Sequence, residues 1–342
     1  MKKIAGDSPS ISHAALLLRE AVQPQSAEML TLLREFVEIE SHATQPAGVN
    51  RVGGLVAIKL TAAGFEVERV RGAEVHAEDA WLAELMLPGV DYDSIADARI
   101  ACKRGNGRGH ALLLADLDTS YGPECSNWFP FRVDARRAYG PGVADMKGGL
   151  VVLAFALEAL EKSGLIGPAI TTVVLSPDEQ AGSLSSRTII EAAARKADWC
   201  FCMECARDGG NLMGSRAHIG VARLDVYGRE AHAGSARASG ISAIEVLARK
   251  IGEISALTDP ERGLYVTVGE VHGGRRRSIV PGHAFCTIDV RAPNAEGWKE
   301  VRSSLQHIAD SFDVPGARSE LRIRDHRPGI PWTVSTDALI RT

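Results

Sequence analysis

Leu112-Leu113-Leu114-Ala115-Asp116-Leu117-Asp118-Thr119 is an apolar run that ends abruptly on two carboxylates. With Ala111 in front it is too short for a helix and too uniformly apolar for a strand with one wet face. Residues 111–115 therefore read as a strand covered on both sides. Two more apolar runs, 170–176 and 199–204, repeat the pattern, and helical stretches at 147–163 (ended by Gly164) and 185–194 separate them. Strands alternating with helices in this way build an α/β domain around a mostly parallel sheet covered by helices. Upstream, Leu33, Phe36 and Val37, then Val52, Leu55, Val56 and Leu60 before Gly64, recur at helical spacing and predict two amphipathic helices. Residues 72–109 interrupt the rhythm with Trp81, Leu82, Leu85, Met86 and a Gly-rich piece at 105–109, and read as an excursion near the rim of a site.

Beyond about Asn211 the order changes to strand 218–227, helix 241–256, strands 264–271 and 283–291, helix 295–312 and strand 320–324. This βαββαβ order is that of a two-layer α+β sandwich. Trp298, Val301, Leu305 and Ile308 keep helical spacing and mark the face turned to the sheet. The expected divisions are 1–212, 213–325 and a short tail, 326–342.

A chain of 342 residues fits two domains. Lys and Arg number 39 against 43 Asp and Glu, a net charge of −4, and no basic block tracks a phosphate backbone, which argues against nucleic acid as a partner. The Arg275-Arg276-Arg277 triplet reads as a solvated loop. No apolar stretch reaches the length of a membrane span or a signal-peptide core, so a cytoplasmic protein with no membrane partner is expected. Six cysteines, three of them in Cys200-x-Cys202-x-x-Cys205, do not form a secreted disulfide framework and are expected to be reduced.

The chemistry gathers at strand ends, where open α/β sheets bind ligands. Asp116 and Asp118 close one strand, and Tyr139-Gly140-Pro141-Gly142-Val143-Ala144-Asp145-Met146-Lys147-Gly148-Gly149 sets an Asp in a Gly-rich turn that opens a helix. Asp178-Glu179-Gln180-Ala181-Gly182-Ser183 follows the next strand, and Glu204 ends the one after. Taken singly, an Asp at a strand end is more often a helix cap or a turn residue than a ligand. Four such pieces in this order point instead to hard oxygen donors converging on a divalent metal.

At these residues, and at Gly228-Arg229-Glu230-Ala231-His232-Ala233-Gly234, the chain resembles the co-catalytic zinc hydrolases that include glutamate carboxypeptidase, acetylornithine deacetylase, succinyl-diaminopimelate desuccinylase and the aminoacylases. The resemblance runs from about Ser26 to Pro331. It implies a zinc-exopeptidase-like catalytic domain and a ferredoxin-like dimerisation or lid domain. By position, Asp116 stands where the family has a metal-binding His, with Asp118 as the carboxylate that orients it. Asp145 corresponds to the bridging carboxylate. Glu179 corresponds to the general base, and the ligand position after it holds Gln180. Glu204 matches the next acidic ligand, whereas the last ligand, a distal His, has no counterpart in this sequence. Residues 326–342 then read as a truncated return to the catalytic domain; either the rest is a separate chain, or the catalytic sheet keeps an uncovered apolar edge to be hidden by self-association.

Asp116 is still an anionic oxygen donor and Gln180 still offers an amide oxygen. The resemblance and these substitutions together imply one ion more readily than two, held by Asp116, Asp145 and Glu204 or Gln180. That ion is Zn²⁺ by resemblance, with Mn²⁺ or Co²⁺ as alternatives. In the second domain the resemblance assigns His232 to polarise the scissile carbonyl across a homodimer and Arg291 to bind the substrate carboxylate. Ser278 replaces a substrate-contacting Asn. The plain readings are a surface His in a Gly-rich turn and an Arg paired with Asp289. Cys202-Met203-Glu204-Cys205 matches C-x-x-C but ends a strand and lacks a second Cys/His pair, so buried structural thiols are expected; Cys202 shares a strand face with Glu204 and is a candidate substitute ligand.

Two functions follow. One is a metal-dependent hydrolase of an amide bond in an N-acyl amino acid or small peptide. The other is a catalytically impaired or inactive relative that keeps the fold as a binding or partner protein or as a truncated remnant.

Overall fold

The computed structural model describes residues 11–75, 79–86, 88–122, 125, 129–311 and 314–341. Its contacts divide into two compact units, Met1–Ala206 and Arg207–Thr342.

The first unit opens with helices α1 (Ile11–Val22), α2 (Ser26–Glu38) and α3 (Pro46–Ala62). Strand β1 (Glu66–Val70), the short helix α4 (Ala80–Met86), β2 (Ala98–Arg104) and β3 (His110–Asp116) follow. A small β4 (Arg132–Val133) and β5 (Ala138–Tyr139) precede α5 (Gly148–Lys162), β6 (Ile170–Ser176), α6 (Arg187–Ala194) and β7 (Trp199–Cys202). The main sheet has the order β1-β2-β6-β3-β7.

The expected α/β sheet covered by helices is present, with a mixed strand order in place of a mostly parallel one: β6/β3 and β3/β7 are parallel, and β1/β2 and β2/β6 are antiparallel. The antiparallel half arises because the 72–109 excursion ends in a strand, β2, whose Arg99–Arg104 register runs against Leu175–Ile170. Helix α5 shows why this unit holds together: Leu150, Leu153, Ala154, Phe155 and Leu157 are buried in one core with Phe36, Val52, Val56 and Leu60 of α2 and α3. At the far edge β7 leaves Trp199 and Phe201 exposed.

The second unit comprises β8 (His218–Tyr227), β9 (Ala231–His232), α7 (Ala243–Ser255), β10 (Tyr265–Gly273), β11 (Ile279–Val280), β12 (His283–Ala292), α8 (Ala295–Asp310), β13 (Arg318–Arg327) and α9 (Val334–Arg341). The four long strands form an antiparallel sheet, β10-β12-β8-β13, so the βαββαβ expectation holds. The predicted helix 295–312 ends at Asp310, and its last predicted residue, Phe312, lies outside the described residues. Alternation along the strands turns Ala222, Leu224 and Val226 of β8 and Ala284, Cys286, Ile288 and Val290 of β12 toward the helices. Trp298, Val301, Leu305 and Ile308 of α8 meet them, all buried. Gly220 is required where the Trp298 ring crosses β8, since a Cβ there would lie 2.0 Å from the ring. Residues 326 and 327 still belong to β13, and Trp332, Thr336 and Ile340 close on Gly214 within the same unit.

Candidate active site

Three connections at the carboxyl ends of β3, β6 and β7 carry the acids. β3 ends on Asp116, which is 6% exposed, and Asp118, 1% exposed, follows. The turn after β6 brings Glu179 and Gln180, and Glu204 lies two residues past β7. Close approach of the backbone makes this possible: a Cβ on Gly149, at the start of α5, would lie 2.0 Å from the Met203 carbonyl oxygen beside Glu204. Gly142 adopts φ 71°, the left-handed conformation, just before the Val143–Lys147 turn that carries Asp145.

Carboxylate oxygens of Asp116, Glu179 and Glu204 come within 4.8 Å of one another. Asp116 Oδ2 is buried with no hydrogen-bond partner among the described residues, and the Asp116 N–H donates to Met146 Sδ at 3.2 Å. Burial pushes the Asp116 carboxyl well above the usual carboxylate range, and the charges of Glu179, Asp118, Glu204 and Asp145 push it further. A divalent cation fits this set. Clustered hard oxygens, one of them buried and unpartnered, match the donors such ions take, and the ion's charge offsets the repulsion among the acids.

Asp145 is not part of that triad. Its Oδ1 accepts from Gln180 Nε2 at 3.1 Å, and the same nitrogen donates to Glu179 Oε2 at 3.0 Å. Gln180 therefore presents N–H groups to its neighbours here, where the sequence reading expected an oxygen donor. Asp118 departs in role too: it accepts from the backbone N–H of Glu179 at 3.0 Å and of Gln180 at 2.9 Å, anchoring the turn that bears both. Burial raises the Asp118 carboxyl, and the nearby Asp178 charge adds to that, against the lowering pull of these N–H bonds.

Asp178 was missed as a site residue. Fully buried, it accepts from the backbone and hydroxyl of Ser185 and from the hydroxyl of Ser186, and so ties down the loop after β6. The serines at 176, 185 and 186 were the available signal, as acceptor-seeking hydroxyls around one acid. Cys202, the candidate substitute ligand, is outside the triad. Removal of its sulfur from water and the Asp116 charge push its thiol up to about 12. All six cysteines are free thiols, and the expected burial at 200–205 is corrected: Cys200, Cys202 and Cys205 are exposed residues.

In the second unit, His232 is exposed on β9, and its Nδ1 accepts from the backbone N–H of Gly234 and Ser235, both at 3.1 Å. In the neutral ring that places the proton on Nε2, a donor. Ser278 lies beside it, with its carbonyl accepting from Ala233 N–H and the next residue, Ile279, paired with His232. Arg291 is not brought to them. It sits at the other end of β12, eight residues past His283, roughly 26 Å along the strand at about 3.3 Å per residue. Its guanidinium grips Asp289 through Nε at 2.7 Å and an Nη at 3.0 Å.

The chain thus joins a sheet with acids at its strand ends to a βαββαβ module. Residues 215–317 match the peptidase dimerisation domain of the M20 group. Over 326 residues the chain is 26% identical to carboxypeptidase G2 of Pseudomonas sp. strain RS-16, covering 95% of this chain and 74% of that one. It is 29% identical over 203 residues to acetylornithine deacetylase of Salmonella arizonae, covering 55% of this chain and 51% of the relative. In structure it is similar to an M20 family metallo-carboxypeptidase from Sulfolobus solfataricus, with a TM-score of 0.66 and 16% identity, over 92% of this chain and 82% of the other. The chain is a relative of the M20 peptidases and deacylases, and it spans about three quarters of one such relative and about half of another.

Proposed function

We propose that this protein is a divalent-metal-dependent hydrolase of an amide bond in an N-acyl amino acid or small peptide. The observation that carries the reading is the convergence of Asp116, Glu179 and Glu204, with a buried carboxylate oxygen on Asp116 that no described residue satisfies. Asp116 and Glu204 hold the cation. When bound, it supplies Lewis-acid polarisation of the scissile carbonyl and acidifies water at the site. An all-oxygen donor set shifts preference from Zn²⁺ toward Mn²⁺, with Co²⁺ also accepted. Glu179, the half-buried third member of the triad, takes a proton from the attacking water and returns it to the leaving nitrogen. By the resemblance, His232 acts across a homodimer, donating an N–H to the developing oxyanion in the partner chain's site, and Arg291 exchanges Asp289 for the substrate carboxylate. Ser278 contributes a hydroxyl next to His232.

The match to a peptidase dimerisation domain supports a homodimer formed through the second unit. Free thiols throughout, and no helix among the described residues long and apolar enough to cross a membrane, support a cytoplasmic setting.

The test is elemental analysis of the purified protein, followed by assay of N-acyl amino acids and dipeptides with Zn²⁺, Mn²⁺ or Co²⁺. Bound metal with turnover is expected, and Glu179→Gln should lower kcat about 10²- to 10⁴-fold while the ion stays bound. A protein with no metal and no turnover in any of these ions would sink the reading.

A further inference from the structure

We propose that Gln180 restricts the acidic site to a single divalent ion, its carboxamide N–H groups taking the place of a cation between Asp145 and Glu179. This rests on the metal-hydrolase reading and adds to it the reason for one ion in place of two. Gln180 Nε2 lies 3.1 Å from Asp145 Oδ1 and 3.0 Å from Glu179 Oε2. Ionised carboxylates only accept hydrogen bonds, so two of them turned to the same point need a donor or a cation there. The amide nitrogen has one proton for each. Turned over, the amide would set its oxygen against two carboxylate oxygens, so the neighbours themselves impose the observed orientation.

The backbone beneath is held just as firmly, since the N–H groups of Glu179 and Gln180 both donate to the two oxygens of buried Asp118. The acids are thereby divided. Asp116, Glu179 and Glu204 converge on one point, where the buried Asp116 Oδ2 lacks a partner among the described residues, while Asp145 is engaged by the carboxamide. An ion at the triad meets anionic oxygens. A second ion beside Gln180 would have to break both hydrogen bonds, turn the amide over and accept a neutral oxygen where a charge would bind it better.

Metal-stripped protein titrated with Mn²⁺, followed by calorimetry and electron paramagnetic resonance, tests this. The wild type should bind one ion per chain and show the spectrum of isolated Mn²⁺. Gln180→Glu should bind two and show a spin-coupled pair. Gln180→Ala, which removes both donors without adding an acid, should melt lower than the wild type when metal-free and recover more of its Tm on adding Mn²⁺. Two ions in the wild type, or one ion in a folded Gln180→Glu, would overturn the role of Gln180 and leave the hydrolase reading standing. Should Gln180→Glu not fold, a metal-free Gln180→Ala as stable as the wild type overturns it equally. A wild type that binds no divalent ion removes both.

Discussion

Asp225 in the second unit and Asp116 and Asp118 in the first are nearly as well hidden from solvent, at 1%, 6% and 1% exposure, yet they are treated in opposite ways. Asp225 lies on the helix-free face of its sheet. Arg223 grips it through two bonds of 2.9 and 3.0 Å, Arg322 adds one of 2.8 Å and His283 one of 2.9 Å. Burial alone would raise its pKa, but these bonds outweigh it and hold the carboxyl down at about 2. Asp116 and Asp118 have acids for charged neighbours, and burial together with those charges raises both. An acid buried for structure brings its cation in the same chain. Acids gathered without one, as at Asp116, fit the cation proposed above.

The comparison breaks most visibly at Asp225. Asp225→Ala leaves Arg223 and Arg322 facing each other without a counter-charge, and should cost about 3 kcal/mol, read as a lower denaturant midpoint by circular dichroism. A loss under about 1 kcal/mol would show that the network contributes little.

The opposite sign is expected at the acid cluster proposed to hold the metal. Asp116→Asn removes a charge that the metal-free protein holds at a cost, so it should raise the metal-free Tm by roughly 2–4 °C, equivalent to about 1 kcal/mol, while weakening Mn²⁺ binding at least about tenfold. A fall in metal-free Tm would mean that the site is balanced without an ion.

The two units should also answer pH differently. Folded pKa values of Asp116 and Asp118 are raised, so their contribution to stability is fully present below the unfolded value of about 3.9 and is lost as pH rises through the folded values; bound metal should suppress that loss. Asp225 is depressed, so its contribution is present above about 3.9 and is lost as pH falls through about 2. Melting curves of metal-free protein between these limits, with and without Mn²⁺, separate the two. The smallest effect lies away from both acid groups: Asn294 caps α8 by accepting from Gly297 N–H at 2.9 Å, and Asn294→Ala should cost about 1 kcal/mol with metal binding unchanged.

Much of this was legible from pattern. The apolar run before Asp116 announced β3, and Trp298, Val301, Leu305 and Ile308 announced the buried face of α8, because burial on one face imposes a period that survives in the sequence. β1 and β2 were not legible. Glu66–Val70 is a mostly exposed edge strand, and Ala98–Arg104 mixes Arg, Cys and Lys into its alternation, so neither carries a clean period and the sheet's antiparallel half went unseen.

The sequence by itself determined which acids exist and where they fall relative to strand ends, since both follow from residue identity and local hydrophobic period. Only the tertiary structure decided how those acids are shared out. Which oxygen of Asp116 is orphaned, that Asp118 secures a turn, and that Gln180 offers protons in place of an oxygen all depend on chain segments far apart in sequence. Hydrogen-bond direction and charge balance are properties of such neighbourhoods, and no single position in the chain encodes them.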